Sequence, residues 1–119
     1  MQNTYLVVEQ DPLVASDLYE IVTDYDAQAS VTVVISVDEV VGILEESAKP
    51  ITVIVSSSAE VVNKSGMASA IQTSQSRLIL IDAGHQVECD VMLGWAYVKA
   101  PFTTAALVRA LDGFNPAER

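Results

Sequence analysis

Apolar residues recur along this chain in two rhythms, short continuous runs and helical stripes between them. Thr4–Val8 (TYLVV) reads as a strand. Asp11-Pro12 then offers a side-chain N-cap with proline at the first helical position, and Val14, Leu18, Ile21 or Val22, and Tyr25 follow at helical spacing. Residues 30–35 (SVTVVI) are β-branched and strand-like, and Ser36-Val37-Asp38-Glu39 has the form of a capping box. The helix it opens carries Val37, Val40, Val41 and Leu44 on one face and ends near Lys49-Pro50. Residues 51–55 (ITVIV) are the third strand, which runs straight into Ser56, Ser57 and Ser58. Ser57 with Glu60 would cap another helix, although Gly66 and a Ser/Thr/Gln-rich stretch to Ser76 interrupt its pattern. Residues 78–81 (LILI) form a fourth strand, 86–93 a short helix, and 95–98 (WAYV) a fifth strand. Thr103 opens a last helix with Leu107, Leu111 and Phe114 on its inner side.

Strands that are apolar throughout, alternating with helices, indicate a parallel sheet covered on both faces. Five such units in 119 residues fit one domain, 1–119, of the α/β class: a flavodoxin-like, doubly wound, five-stranded parallel sheet of order 2-1-3-4-5 with helices on both faces. Only 6% of residues are aromatic, so the core must be aliphatic. Sixteen acidic against six basic residues give a net charge of −10, which repels nucleic acid and anionic membranes alike. Cys89 is the single cysteine, excludes an intrachain disulfide, and reads as a buried free thiol. The start, MQNTYLVVEQ, has neither a basic region nor an apolar run of signal length, so a cytoplasmic protein is expected.

In such a sheet, ligands and chemistry gather beyond the carboxyl ends of the strands, near the switch point between strands one and three. The residues delivered there are Glu9, Gln10 and Asp11, then Ser56 to Ser58, then Asp82, and finally Lys99-Ala100-Pro101. A hydroxyl run entering a helix is usually cap and turn chemistry. His85, the lone histidine, has no partner in the pattern and reads as an exposed loop residue.

YLVVEQDPLVASDLYEIV resembles the opening of a response-regulator receiver (CheY-like) domain, a strand ending in acidic residues before proline and a helix. VDEVVGILEESAKPITVIVSSS is similar to that family's second helix and third strand, and VKAPFTTAALVRAL to its Lys-Pro-Phe segment and last helix. The resemblance covers nearly the whole chain in the right order. It implies a bacterial two-component or phosphorelay protein whose site holds Mg²⁺ on carboxylates after strand one. In that site an aspartate ending strand three takes a phosphoryl group, a Thr or Ser ends strand four, and a lysine stands before Pro-Phe. Carboxylate, metal and ammonium there form an acyl phosphate and neutralise its charge.

Against that pattern, Ser56 stands in the acceptor's place, Gln10 replaces the acid between Glu9 and Asp11, and Asp82 replaces the hydroxyl. Ala100 occupies the lysine's slot before Pro101-Phe102. A serine with no base beside it is a poor nucleophile. Lys99 stands one residue early, a shift that on a strand turns it to the opposite face. Glu9, Gln10, Asp11, Ser56, Asp82 and Ala100 therefore read as a vestigial phosphorylation pocket, with Lys99 as its replacement cation only if the loop is re-registered.

The expected protein is a degenerate receiver, a pseudo-receiver without catalytic activity or cofactor that acts in signal transduction as a phosphorylation-independent protein-protein interaction module. Its partner is another protein or a second copy. The resemblance implies a face made by the fourth helix, fifth strand and fifth helix, where Trp95 and Tyr97 serve either as interface or as packing under the helices. No output domain is recognisable before the chain ends at FNPAER. Two alternatives stand beside this reading. In one, the protein still accepts phosphate, or binds a divalent cation such as Mg²⁺, through Glu9, Asp11 and Asp82 with Lys99 moved into the pocket. In the other it is a flavodoxin-like small-ligand binding module, for which SSSAE is a weak phosphate loop.

Overall fold

The computed structural model describes residues 3–57, 59–82 and 95–113. In chain order the elements are β1 (Thr4–Val8), α1 (Pro12–Tyr25), β2 (Ser30–Val34), α2 (Val37–Glu46) and β3 (Thr52–Ser56). They continue as α3 (Ala59–Lys64), α4 (Met67–Thr73), β4 (Arg77–Asp82), β5 (Trp95–Lys99) and α5 (Thr104–Asp112). The strands form one parallel sheet in the order β2-β1-β3-β4-β5, so the expected topology is the observed one.

Alternation along the buried strands divides the core in two. Leu6, Val53, Val55, Leu78 and Leu80 face Val40 and Leu44 of α2, Val62 of α3, and Met67 and Ile71 of α4. Val7, Ile54, Ile79 and Ile81 face Leu18 and Val22 of α1 and Leu107 and Leu111 of α5. Because β1, β3 and β4 have helices over both faces, nearly every residue in them is buried, and this is why the sequence shows runs in place of alternation.

Helix starts follow their caps. The Asp11 carboxylate accepts the Leu13 N–H at 2.9 Å, and Thr103 Oγ1 accepts the Ala106 N–H at 3.1 Å. The Ser36 hydroxyl caps α2 as expected, but through the Asp38 N–H (3.1 Å), while the Glu39 N–H goes to the Ser36 carbonyl. β2 stops at Val34, one residue short of the sequence reading, because the last ladder bond joins the Glu9 N–H to the Val34 carbonyl. The ambiguous stretch 61–76 is ordered as two helical pieces. Gly66, at φ +84°, ends one and starts the other, a left-handed conformation that a side chain would strain. The expected cap of Ser57 with Glu60 involves a side chain outside the described residues. The helix expected at 86–93, His85, Cys89 and Phe114 also lie outside them. Among the described residues, no helix is long and apolar enough to cross a membrane.

Polar groups close the amino ends of the strands. Buried Ser76 accepts the Ile51 N–H at 3.0 Å, joining the approaches to β3 and β4. Asp26, just after α1, accepts from Asn3 Nδ2 at 2.9 Å and from the Tyr5 hydroxyl at 3.4 Å. Burial pushes the Tyr5 hydroxyl above its ordinary pKa of 10.0, the Asp26 charge and hydrogen bond add to the rise, and Arg77 opposes it.

These contacts set three expectations. Ile54→Ala, at a wholly buried position, should lower unfolding free energy by about 2–5 kcal/mol in urea titrations. Glu46→Lys replaces an exposed carboxylate at the α2 C-terminus, where no basic residue meets the helix dipole, and should raise stability by about 0.3–1 kcal/mol. The raised Tyr5 pKa means that the unfolded chain loses this proton first as pH climbs. Its contribution is therefore full below about pH 10 and is lost as pH rises toward the folded-state value. Urea midpoints measured across that range should fall more steeply for the parent than for Tyr5→Phe.

Candidate functional site

The carboxyl ends of β1, β3, β4 and β5 bring the sequence-derived positions to one rim. At β1, Glu9 continues past the strand and its N–H still reaches the Val34 carbonyl of β2 at 3.1 Å. Gln10 and Asp11 follow, both exposed. Val8 and Val55 are the last register pair of β1 and β3; Glu9 follows the first and Ser56 the second in the chain. Ser56 ends β3 as an exposed residue, and the Ser57 N–H donates to the Ile81 carbonyl at 3.1 Å, holding the turn against β4. The switch point between β1 and β3 thus carries one carboxylate and one neutral hydroxyl.

The two acidic side chains after β1 are engaged locally. Glu9 Oε2 accepts the Asp11 N–H at 3.1 Å, and Asp11 Oδ1 accepts the Leu13 N–H at 2.9 Å to cap α1. Each carboxylate thereby satisfies a backbone donor of the β1–α1 connection. Mg²⁺ demands near-octahedral oxygen ligands and is usually held by one or two carboxylates with waters. Here Gln10 is neutral, Ser56 adds no charge, and among the described residues no three acidic, histidine or cysteine side chains converge. The Asp82 side chain, the third carboxylate of the sequence reading, lies outside the described residues.

On the other side of the rim, the backbones of Asp82 and Lys99 are register partners at the ends of β4 and β5. Trp95, two pairs earlier in this alternation, packs with the core under α2 and α4, whereas Ala100 and Phe102 pack with the core under α1 and α5. Lys99 is exposed, on the side of the sheet opposite Ala100. Sequence reasoning had no means of seeing the Asp82–Lys99 register, because pairing between strands is set by the whole sheet. Trp95 and Tyr97 occur on the outer strand β5, and both are partly buried.

Two pockets occur away from this rim. One of about 310 Å³ lies at the amino ends of the strands, lined by Thr4, Leu6, Ile43, Lys49 and Ile51. The other, of about 410 Å³, lies between α2 and α4 beside Val41, Glu45, Gly66 and Ser69.

No family model matches the sequence, and no curated protein matches it. Solved structures do match. The chain superposes on a response regulator receiver domain protein from Bacillus halodurans C-125 with a TM-score of 0.73 and 21% identity, over 98% of this chain and 99% of that one. This chain has the fold of a receiver domain. A second match is SdrG from Pseudomonas melonis Fr1 in its BeF3-activated conformation, with a TM-score of 0.65 and 19% identity over 93% of this chain and 94% of that one. At these identities the likeness is one of fold, and the chemistry of the rim has to be judged from the side chains present.

Proposed function

We propose that this chain is a receiver-fold interaction module of signal transduction that works through protein partners without phosphorylation and without catalysis. The observation that carries the reading is Ser56 at the end of β3, the strand that pairs with β1 at the switch point. A nucleophile for phosphoryl transfer needs a carboxylate or a base-activated hydroxyl, with cations to neutralise the growing charge. Ser56 is neutral, Ala100 adds no charge at the junction with Pro101, and Lys99 stands across the sheet from Ala100. Glu9 and Asp11 serve the β1–α1 connection. What such a rim retains is shape, and its partners would be read by surfaces such as the outer strand that carries Trp95 and Tyr97.

One observation favours a second reading. The backbones of Asp82 and Lys99 are register partners at the ends of β4 and β5, the two positions on which a phosphate-accepting site that uses Asp82 would draw.

Amide NMR of the free protein, titrated with millimolar Mg²⁺ and then with beryllofluoride, separates the two. The proposed module predicts unmoved resonances for Glu9, Asp11, Ser56 and Asp82. Shifts that require beryllofluoride and extend to Tyr97 would replace this proposal with the phosphate-accepting reading.

A further inference from the structure

Charge is divided along this sheet. Ten of the sixteen acidic residues precede position 49 and none of the six basic residues does, so the whole net charge of −10 falls in the segment that builds β1, α1, β2 and α2. Six acidic and six basic residues follow and cancel. Within that segment β2 is the outer strand, with α1 over one face of the sheet and α2 over the other. Neither helix has a basic residue, even in its last turn, where the helix dipole favours one. Asp24, Glu45 and Glu46 stand in those last turns instead. Folding does not call for carboxylates there, since they oppose the dipole.

The strand between these helices is open. The Ser30 N–H donates to the Asn3 carbonyl and the Val34 carbonyl accepts from Glu9, both on the β1 side. Alternation in a parallel ladder then turns the backbone N–H and C=O of Val31 and Val33 outward. Val33 is 42% exposed and Ile35 65% exposed. SVTVV also lacks the lysine, proline or inward charge that commonly guards a sheet edge.

We propose that the β2 edge is a docking site for an extended basic segment of a partner protein. The segment adds as a sixth strand beside β2, its main chain bonding to Val31 and Val33, while its Lys or Arg side chains meet the carboxylates of α1 and α2. The same carboxylates disfavour a second copy of this chain, because edge-to-edge pairing would bring two like-charged ends together. The acidic helices thus guard the edge against self-association and select its occupant. This site is at the sheet edge opposite Trp95 and Tyr97 and does not depend on the state of the Ser56 rim.

The test uses the full ¹⁵N-labelled chain without Mg²⁺ or beryllofluoride, and a synthetic peptide of about nine residues alternating Lys and Val as the probe. Expected are shifts at Val31 and Val33, slower hydrogen exchange at the Val33 amide, and roughly tenfold weaker binding in high salt. A matched peptide alternating Glu and Val should not bind. Val33→Pro removes an outward N–H while sparing the β1–β2 ladder, and should weaken binding by about tenfold or more. Val33→Lys guards the edge with a cation and should do the same; it keeps the test open if the proline variant does not fold by circular dichroism. Wild-type binding by a folded Val33 variant overturns the proposal, as does a peptide footprint on Trp95 and Tyr97. Shifts at the β2 amides that grow with protein concentration alone would assign the edge to a second copy, and overturn it also.

Discussion

β3 lies in the middle of the sheet with Val53, Ile54 and Val55 wholly excluded from water. A strand so placed must bond to neighbours along both edges and pack against helices on both faces. Parallel neighbours require crossover connections, and each crossover helix returns the chain to the same end of the sheet. Two consequences follow: a core split into two aliphatic layers, and a single rim where polar side chains leave the strands. Whatever stands at position 56 stands at that rim because residues 53–55 are anchored on every side.

The same anchoring separates stability from function at the rim. Ser56 is exposed at a strand end, so the residue type at this position can change while the layers beneath stay intact, and the receiver fold does not depend on it. Glu9 and Asp11 show how the remaining acids become structural, each accepting a backbone N–H where β1 hands over to α1. The acidic helices α1 and α2 show the reverse, because carboxylates in their last turns weaken the helices that carry them.

Much of the fold was legible because period and punctuation agreed. Val53 to Val55 could be read as a buried strand, Asp11-Pro12 as a helix start, and Thr103 as a cap, each from local chemistry that tertiary contacts reinforce. Reading failed where two local solutions were nearly equal. The stretch around Gly66 supports either a broken helix or a loop, and only packing of Val62, Met67 and Ile71 onto the sheet selects two short helices. Ile35 continues the β-branched run of β2, yet the strand ends before it because β1 has turned away after Glu9.

The amino-acid sequence by itself determined the α/β class, the aliphatic core, the polar identity of each strand end and the concentration of negative charge before Lys49, since these depend on residue type and short-range spacing. Tertiary structure alone decided that the strand ending in Ser56 pairs with β1, that Asp82 is paired in register with Lys99, and that the acidic helices flank the outer strand β2. Register and strand order are properties of the whole sheet, fixed by which faces must be buried together, and no local stretch of the chain encodes them.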